Sequence, residues 1–296
     1  MLGFIALNKP SGLTSHDCVA RVRRLLKLKK VGHGGTLDPL ATGVLPIAVG
    51  RATRLLQFLP ENKAYHAKIR LGMQTTTDDL EGEVIKTQPA PNLSLEDIQP
   101  LLKQFIGSIQ QIPPAYSAIQ KDGKRLYELA RKGEIVEVPV RTVEVTKIDI
   151  LGWYPGEFPE LDLDIYCGPG TYIRAIARDI GTKLNIGGTL AGLKRTESCG
   201  MILSETITLE ELKIQIEQET FSLIKPELVL QHLPIITLSL EEGKRWCQGQ
   251  KIPINLELLS SIIRVNDETG EFLGIGNLRE EDDYQLLIPQ VVIKLY

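Results

Sequence analysis

Proline and glycine interrupt the amino-terminal part of this chain at short intervals, and that punctuation decides what it can build. Phe4-Ile5-Ala6-Leu7 reads as a short buried strand that stops at Asn8-Lys9-Pro10-Ser11-Gly12, because neither proline nor glycine suits the continuation of a central strand. Thr14 or Ser15 then caps a helix from about Asp17 to Leu28, in which Val19, Val22, Leu25 and Leu26 form an apolar stripe at helical spacing. The helix ends before Gly32. His33-Gly34-Gly35-Thr36-Leu37-Asp38-Pro39-Leu40-Ala41-Thr42-Gly43-Val44 follows as a loop that presents one carboxylate, Asp38.

Charge gives this loop a context. Arg21 to Lys30 holds six positive charges in ten residues, and residues 1 to 70 carry twelve Lys/Arg against Asp17, Asp38 and Glu61, a balance of +9. The whole chain is at -3, so the remaining 226 residues contribute -12. A local field governs approach to a phosphate backbone more than a whole-chain sum does. One acid beside a polycationic face therefore suggests chemistry on a polyanion. The length of 296 residues allows a large core and a second small domain, and 43% apolar with 24% charged residues is an ordinary globular composition. No apolar run reaches the roughly 20 residues that span a bilayer. Met1-Leu2-Gly3-Phe4 leads directly into patterned sequence without the segments of a secretion leader, so a cytoplasmic protein away from membranes is expected. Cys18, Cys167, Cys199 and Cys247 are too scattered to suggest a disulfide framework, and with His16, His33, His66 and His232 they form no metal-ligand spacing. Neither a metal nor an organic cofactor is expected.

Further along, Val44 to Val49 reads as a strand followed by Gly50-Arg51-Ala52-Thr53-Arg54 and a short helical segment to about Phe58, Lys63 to Leu71 as an alternating strand and Thr75 to Asp79 as a polar loop. Ser94 caps a helix over Leu95 to Phe105. A short helix is expected from Arg125 to Arg131, with strands at Glu134 to Val138, Val143 to Ile150 and Leu161 to Tyr166. A helix begins near Thr171, and Gly181, Gly187 and Gly188 mark its exit. A boundary helix over about Ser222 to His232 precedes strands at Ser261 to Val265, Glu271 to Gly276 and Leu286 to Tyr296, which suggest a compact β-rich unit.

Several motifs in this order resemble the TruB family of pseudouridine synthases. They are Leu7-Asn8-Lys9-Pro10-Ser11-Gly12-Leu13-Thr14-Ser15, Val31 to Leu45 around Asp38, Lys63-Ala64-Tyr65, Pro113 to Ala118, Gly170-Thr171-Tyr172-Ile173-Arg174 and Leu193-Lys194-Arg195-Thr196. They extend over about 190 residues. The resemblance implies an α/β (α+β) pseudouridine-synthase fold with a mixed, largely antiparallel sheet over residues 1–232. Within it lies an RNA-gripping insertion around 112–147, where Gln120 stands in place of a lysine that many relatives carry. Residues 233–296 resemble a small β-barrel-like PUA-type RNA-binding domain, although their balance of -4 does not announce RNA binding.

The family isomerises uridine 55 in the T-loop of transfer RNA, so the T-arm is the implied partner, with no DNA and a monomeric protein. Catalysis is implied for Asp38, for Arg174 as the arginine that meets it, and for Tyr65 as the ring that stacks on the target base. His33 matches the histidine near the flipped nucleotide. Lys9 supports the loops or contacts phosphate, Tyr172 and Leu193 line the uracil pocket, and Arg195 adds a basic contact. A carboxylate suits the chemistry because it can attack as a nucleophile or take and return protons. The alternatives are a related synthase acting on another RNA, including the box H/ACA-guided family, and a non-catalytic RNA-binding or RNA-folding protein.

Overall fold

The computed structural model describes residues 1–114, 120–121, 124–125, 138–255, 260–281 and 284–294. The first elements are β1 (Gly3–Lys9), α1 (Ser15–Leu26), β2 (Val31–His33), β3 (Thr42–Val49), a 3-10 segment (Gly50–Phe58) and β4 (Lys63–Leu71). Next come the hairpin of β5 (Met73–Thr75) and β6 (Val84–Thr87), α2 (Leu95–Leu102), β7 (Gly107–Gln111) and the small pair β8 (Gln120–Lys121) and β9 (Lys124–Arg125). β10 (Arg141–Tyr154), β11 (Glu160–Cys167), α3 (Ile173–Lys183), β12 (Gly188–Ser198) and β13 (Met201–Ile202) follow.

Nine of these strands make one mixed sheet in the order β1-β3-β12-β4-β11-β10-β7, with β2 on β3 and β13 on β12. The described pairs are antiparallel except β3 with β12, where Thr42 and Gly43 lie opposite Lys194 and Arg195. That parallel contact brings the exit of the Asp38 loop against the Leu-Lys-Arg-Thr motif.

Alternation in β4 sorts its side chains. Tyr65, Ala67, Ile69 and Leu71 are buried with Leu161, Leu163 and Ile165 under α3, whose Ile173, Ile176, Ala177 and Ile180 complete the cluster. His66, Lys68 and Arg70 point the other way, opposite Asp164, Asp162 and Glu160 of β11. The helix approaches β12 closely because Gly181 meets Gly188: a Cβ on Gly181 would lie 2.0 Å from the Gly188 nitrogen. This crossing fixes the first turn of α3, and so Arg174, relative to the sheet.

Helix α1 starts at Ser15, before the expected Asp17, because Thr14 and Asp17 form a reciprocal capping box. It stops at Leu26, before Leu28, because Lys27 turns left-handed at φ 54°. Cys18, Val19, Val22 and Leu26 pack on Ile5, Leu45 and Ile47 of the sheet. Other expectations also need correction. Thr75 ends β5 instead of opening a loop, and its side chain bonds Thr189 at 3.0 Å. The helix from Leu95 is α-helical only to Leu102, then 3-10 to Phe105. The glycines after α3 lead into an eleven-residue central strand, β12, whose mixed polar and apolar pattern gives no clean alternation. Ala115 to Ala118, most of the expected Arg125–Arg131 helix, the Glu134–Val138 strand except Val138 and the Gln120 side chain lie outside the described residues.

Beyond the sheet come α4 (Leu209–Glu217), absent from the sequence reading, and α5 (Pro226–Val229), the only helical part of the expected boundary helix. Extended pairing of Ile224 with Phe4 occupies the backbone that a longer helix would need. β14 (Ile235–Leu238), α6 (Leu240–Cys247), β15 (Ile252–Ile254), β16 (Ile262–Asp267), β17 (Phe272–Glu281) and β18 (Tyr284–Val292) form a second unit. Its sheet runs β14-β16-β17-β18-β15 with Trp246 buried beneath it. Phe272, Ile275, Val291 and Ile293 share a buried cluster with Phe4, Ala6, Val44 and Ala48. Arg51 donates to the Ile293 carbonyl at 2.9 Å, so the second sheet is seated on the first by apolar burial and a buttressing arginine. Among the described residues no helix is long and apolar enough to cross a membrane.

Candidate active site

Two buried cations hold the loop that carries Asp38. Lys9, at the end of β1, is fully buried and donates to the carbonyls of Pro10 (3.0 Å), Leu13 (2.6 Å) and Pro39 (2.9 Å). Burial holds its ammonium below the usual lysine range. Arg195, on β12, is equally buried and donates to Val44 (2.8 Å), Thr36 (3.3 Å) and Gly35 (3.1 Å). Gly43 permits this approach: at φ 98° its missing Cβ would sit 2.2 Å from the Arg195 carbonyl. Ser15 closes the middle of the loop, its hydroxyl accepting from Leu37 N at 2.9 Å. A Gly/Pro-rich segment with few side chains of its own is thereby fixed from three elements.

Arg174, in the first turn of α3, meets Asp38 with two nitrogens, Nε to Oδ2 at 3.1 Å and Nη2 to Oδ1 at 3.3 Å. The arginine side chain is 7% exposed and the aspartate 40%. Nη1 of the same guanidinium donates to the Thr77 carbonyl at 3.1 Å and lies 3.5 Å from Asp79 Oδ2. Burial raises the Asp38 carboxyl above its ordinary value; Arg174 opposes the rise and Asp79 adds to it. Asp38, Asp79, Glu81, Leu193, Leu40 and Leu80 line a cavity of about 230 Å³. The floor is acidic and the two exposed leucines form part of its wall.

The remaining expected residues surround this pair at different depths. Tyr65 is buried in β4, opposite Arg195 on β12, and burial raises its phenol while the Arg195 guanidinium opposes that rise. Tyr172 caps α3 by backbone, with its N–H and carbonyl held by the Gln111 side chain at 3.1 and 3.3 Å. His33 stands edge-on to His16, ring centroids 5.4 Å apart, and burial holds its imidazole below the usual range. Leu193 shares the cavity wall with Asp38, whereas Tyr65, Tyr172 and His33 lie outside that wall.

Residues 23–173 match the model described as TruB family pseudouridylate synthase (N terminal domain), and residues 234–293 match Pseudouridine synthase II TruB, C-terminal. This chain belongs to the TruB family of pseudouridylate synthases. The tRNA pseudouridine synthase B of Gloeothece citriformis (strain PCC 7424) is 61% identical to it over 300 residues, covering 99% of this chain and 97% of the relative. The protein of that name from Trichormus variabilis (strain ATCC 29413 / PCC 7937) is 58% identical, covering 99% of both. Among solved structures, the archaeal box H/ACA sRNP Nop10-Cbf5 complex superposes with a TM-score of 0.72 at 26% identity, covering 99% of this chain and 89% of the other. An H/ACA RNP bound to a substrate RNA containing 2'-deoxyuridine gives 0.74 at 24% identity, covering 99% and 85%, and so shares the fold.

Arg174 contacts two carboxylates, Asp38 and Asp79, and they differ in how open they are. Asp79 is only 14% exposed, and its Oδ1 accepts from the Glu81 N–H at 3.0 Å and from the Thr77 hydroxyl. Asp38 has its two oxygens on one guanidinium and keeps its outer surface open to the cavity. Asp38 is therefore the more accessible of the two acids on Arg174. Asp79, Ser15 and Thr77 were not among the expected site residues. Asp78-Asp79 after three threonines looks like a solvated turn, and only the Arg174 contact reveals its place.

Proposed function

We propose that this synthase isomerises uridine 55 in the T-loop of transfer RNA to pseudouridine, taking the target base out of the stack and into the cavity beside Asp38. The observation that carries the reading is the two-point contact of buried Arg174 with Asp38 on the wall of an open cavity. That fork orients the carboxylate and favours its charged form, opposing in part the burial that favours the acid. The full-length relatives named tRNA pseudouridine synthase B support transfer RNA as the substrate class.

In the reaction the bond from uracil N1 to ribose C1' breaks, the base turns, and C5 bonds to the same carbon. The proton on C5 leaves and N1 gains one, so no atom is gained or lost overall. Asp38 acts at the ribose, either as the nucleophile on C1' or as the base that opens a glycal-like route, and no metal or organic cofactor enters. Tyr65, buried outside the cavity wall in the free protein, stacks on the displaced uracil only once the bound RNA brings the base past that wall, a step that compensates for lost stacking in the RNA. Leu193 and Tyr172 border the base, and His33 meets the flipped nucleotide as a neutral ring. Lys9 and Arg195 serve the site by holding its loop, since their nitrogens already bond protein carbonyls.

Basic residues from Arg21 to Lys30 contact the T-arm backbone. Residues 1–232 form the catalytic unit and 233–296 a PUA-type RNA-binding unit, acting as a cytoplasmic monomer. The test is a pair of transfer RNA transcripts, one with uridine at position 55 and one with cytidine there. Pseudouridine at that position in the first and none in the second is expected; equal product in both would reject the site assignment.

A further inference from the structure

Arg178 lies one helical turn after Arg174, so the two guanidiniums leave α3 on the same face. Arg174 grips the Thr77 carbonyl and approaches Asp79. Arg178 grips the residue between them, donating from Nη1 to Asp78 Oδ2 at 2.9 Å. Asp78 is left-handed at φ 62°, a conformation uncommon outside glycine that the surrounding contacts must hold. Its carbonyl accepts from Leu190 N at 3.0 Å, which ties the turn to β12 beside the cavity. The other end of the Arg178 fork donates to the Ile112 carbonyl at 2.8 Å, and its Nε to Asp179 Oδ1 at 2.9 Å. Both partners of the Arg178–Asp78 pair are largely buried, at 26% and 16% exposure, which sets it apart from a solvated surface pair.

We infer that Arg178 is a positioning residue: by clamping Asp78 it holds the Thr77–Asp79 turn in the one shape that supports Arg174, and through Arg174 it orients Asp38. Three consecutive residues are thus held by two arginines, and loosening one grip lets the other move. Arg178 does not line the cavity, and the hydrogen bonds of its guanidinium go to Asp78, Asp179 and Ile112, so its effect passes through the turn. The inference rests on the reading of Asp38 as the reacting group.

The test is single-turnover pseudouridine formation on an unmodified transfer RNA transcript at saturating protein, with the RNA dissociation constant measured in parallel. A misplacement of about an ångström at such a site costs up to roughly a hundredfold in rate. R178Q is expected to slow conversion by roughly tenfold or more with unchanged RNA affinity. D78A should do the same, and the double variant should be no slower than the worse single one, because both remove one contact. D78N keeps an acceptor oxygen and tolerates the left-handed backbone, so it should recover most of the rate. If R178Q fails to fold, D78A and D78N interrogate the contact from the other side.

A native rate in folded R178Q or D78A would overturn the inference, as would independent, additive losses. A loss confined to affinity would also overturn it, assigning Arg178 to the segment beyond Ile112 instead. Absence of pseudouridine with the unaltered protein would instead reject the functional reading on which it rests.

Discussion

Removing the Arg174 guanidinium should change the pH dependence of turnover as well as its size, and the two effects can be separated. The contact with Asp38 is 3.1 Å long. At that separation two unit charges interact by about 5 kcal/mol at an effective dielectric of 20 and by about 1 kcal/mol in water. Because the Asp38 side chain is 40% exposed, screening places the loss in the lower part of that range, about 1–3 kcal/mol. Asp38 already sits above its ordinary value because burial opposes its charge, and Asp79 pushes in the same direction. Arg174→Ala removes the opposing positive charge, so ionisation moves to higher pH and the acid limb of the rate profile follows it. Arg174→Lys keeps a charge and loses the fork, so its limb should move less while its plateau still falls. Single-turnover rates across the pH range, with folding checked by circular dichroism, give both quantities. A folded Arg174→Ala protein with the native limb and plateau would refute this reasoning.

Three further outcomes follow from burial and pairing. Tyr65→Phe should retain most product and Tyr65→Leu should lose it if ring stacking is the main role; equal loss in single-turnover yield would transfer the role to the hydroxyl. Lys9→Met leaves the Pro10, Leu13 and Pro39 carbonyls without their donor, and should cost about 2–4 kcal/mol, seen as a lower urea midpoint with an unchanged slope; an unchanged midpoint would contradict the staple. At Asp267 burial raises the carboxyl, but the Thr269 hydroxyl, the Glu271 and Thr269 N–H groups and Lys294 outweigh it and lower the value from 3.8 to about 2. The stability this group adds is present above pH 3.8 and is lost as pH falls towards about 2, so Asp267→Asn should flatten that part of the acid unfolding curve; an unaltered curve would exclude the group.

Local patterns were legible where one element settles its own fate. Strand β4 occupies the expected residues because each alternate side chain faces one core, and α1 follows its Thr14 cap. Strand β12 was missed because its register is imposed by neighbours: parallel pairing with β3 and two bulges against β4 break the alternation that a sequence displays. The site divided the same way. Asp38 and Arg174, two of the three residues expected in one cleft, meet, while Tyr65 lies outside the cavity wall; Lys9, read as a support of the loops or a phosphate contact, is on loop carbonyls, and Arg195, read as a basic contact, is also buried on carbonyls. A charge's destination depends on which backbone arrives beside it, and the loop that Lys9 holds is 30 residues away in sequence. Asp79 was illegible for the same reason, since its partner lies on a helix nearly a hundred residues later.

The most direct test of Asp38 as the reacting group maps every pseudouridine in an unmodified transfer RNA after incubation with the native protein and with Asp38→Asn. The native protein should place pseudouridine at position 55, and Asp38→Asn should bind the RNA yet form none. Product at that position from the folded asparagine variant at a rate close to native would contradict the account.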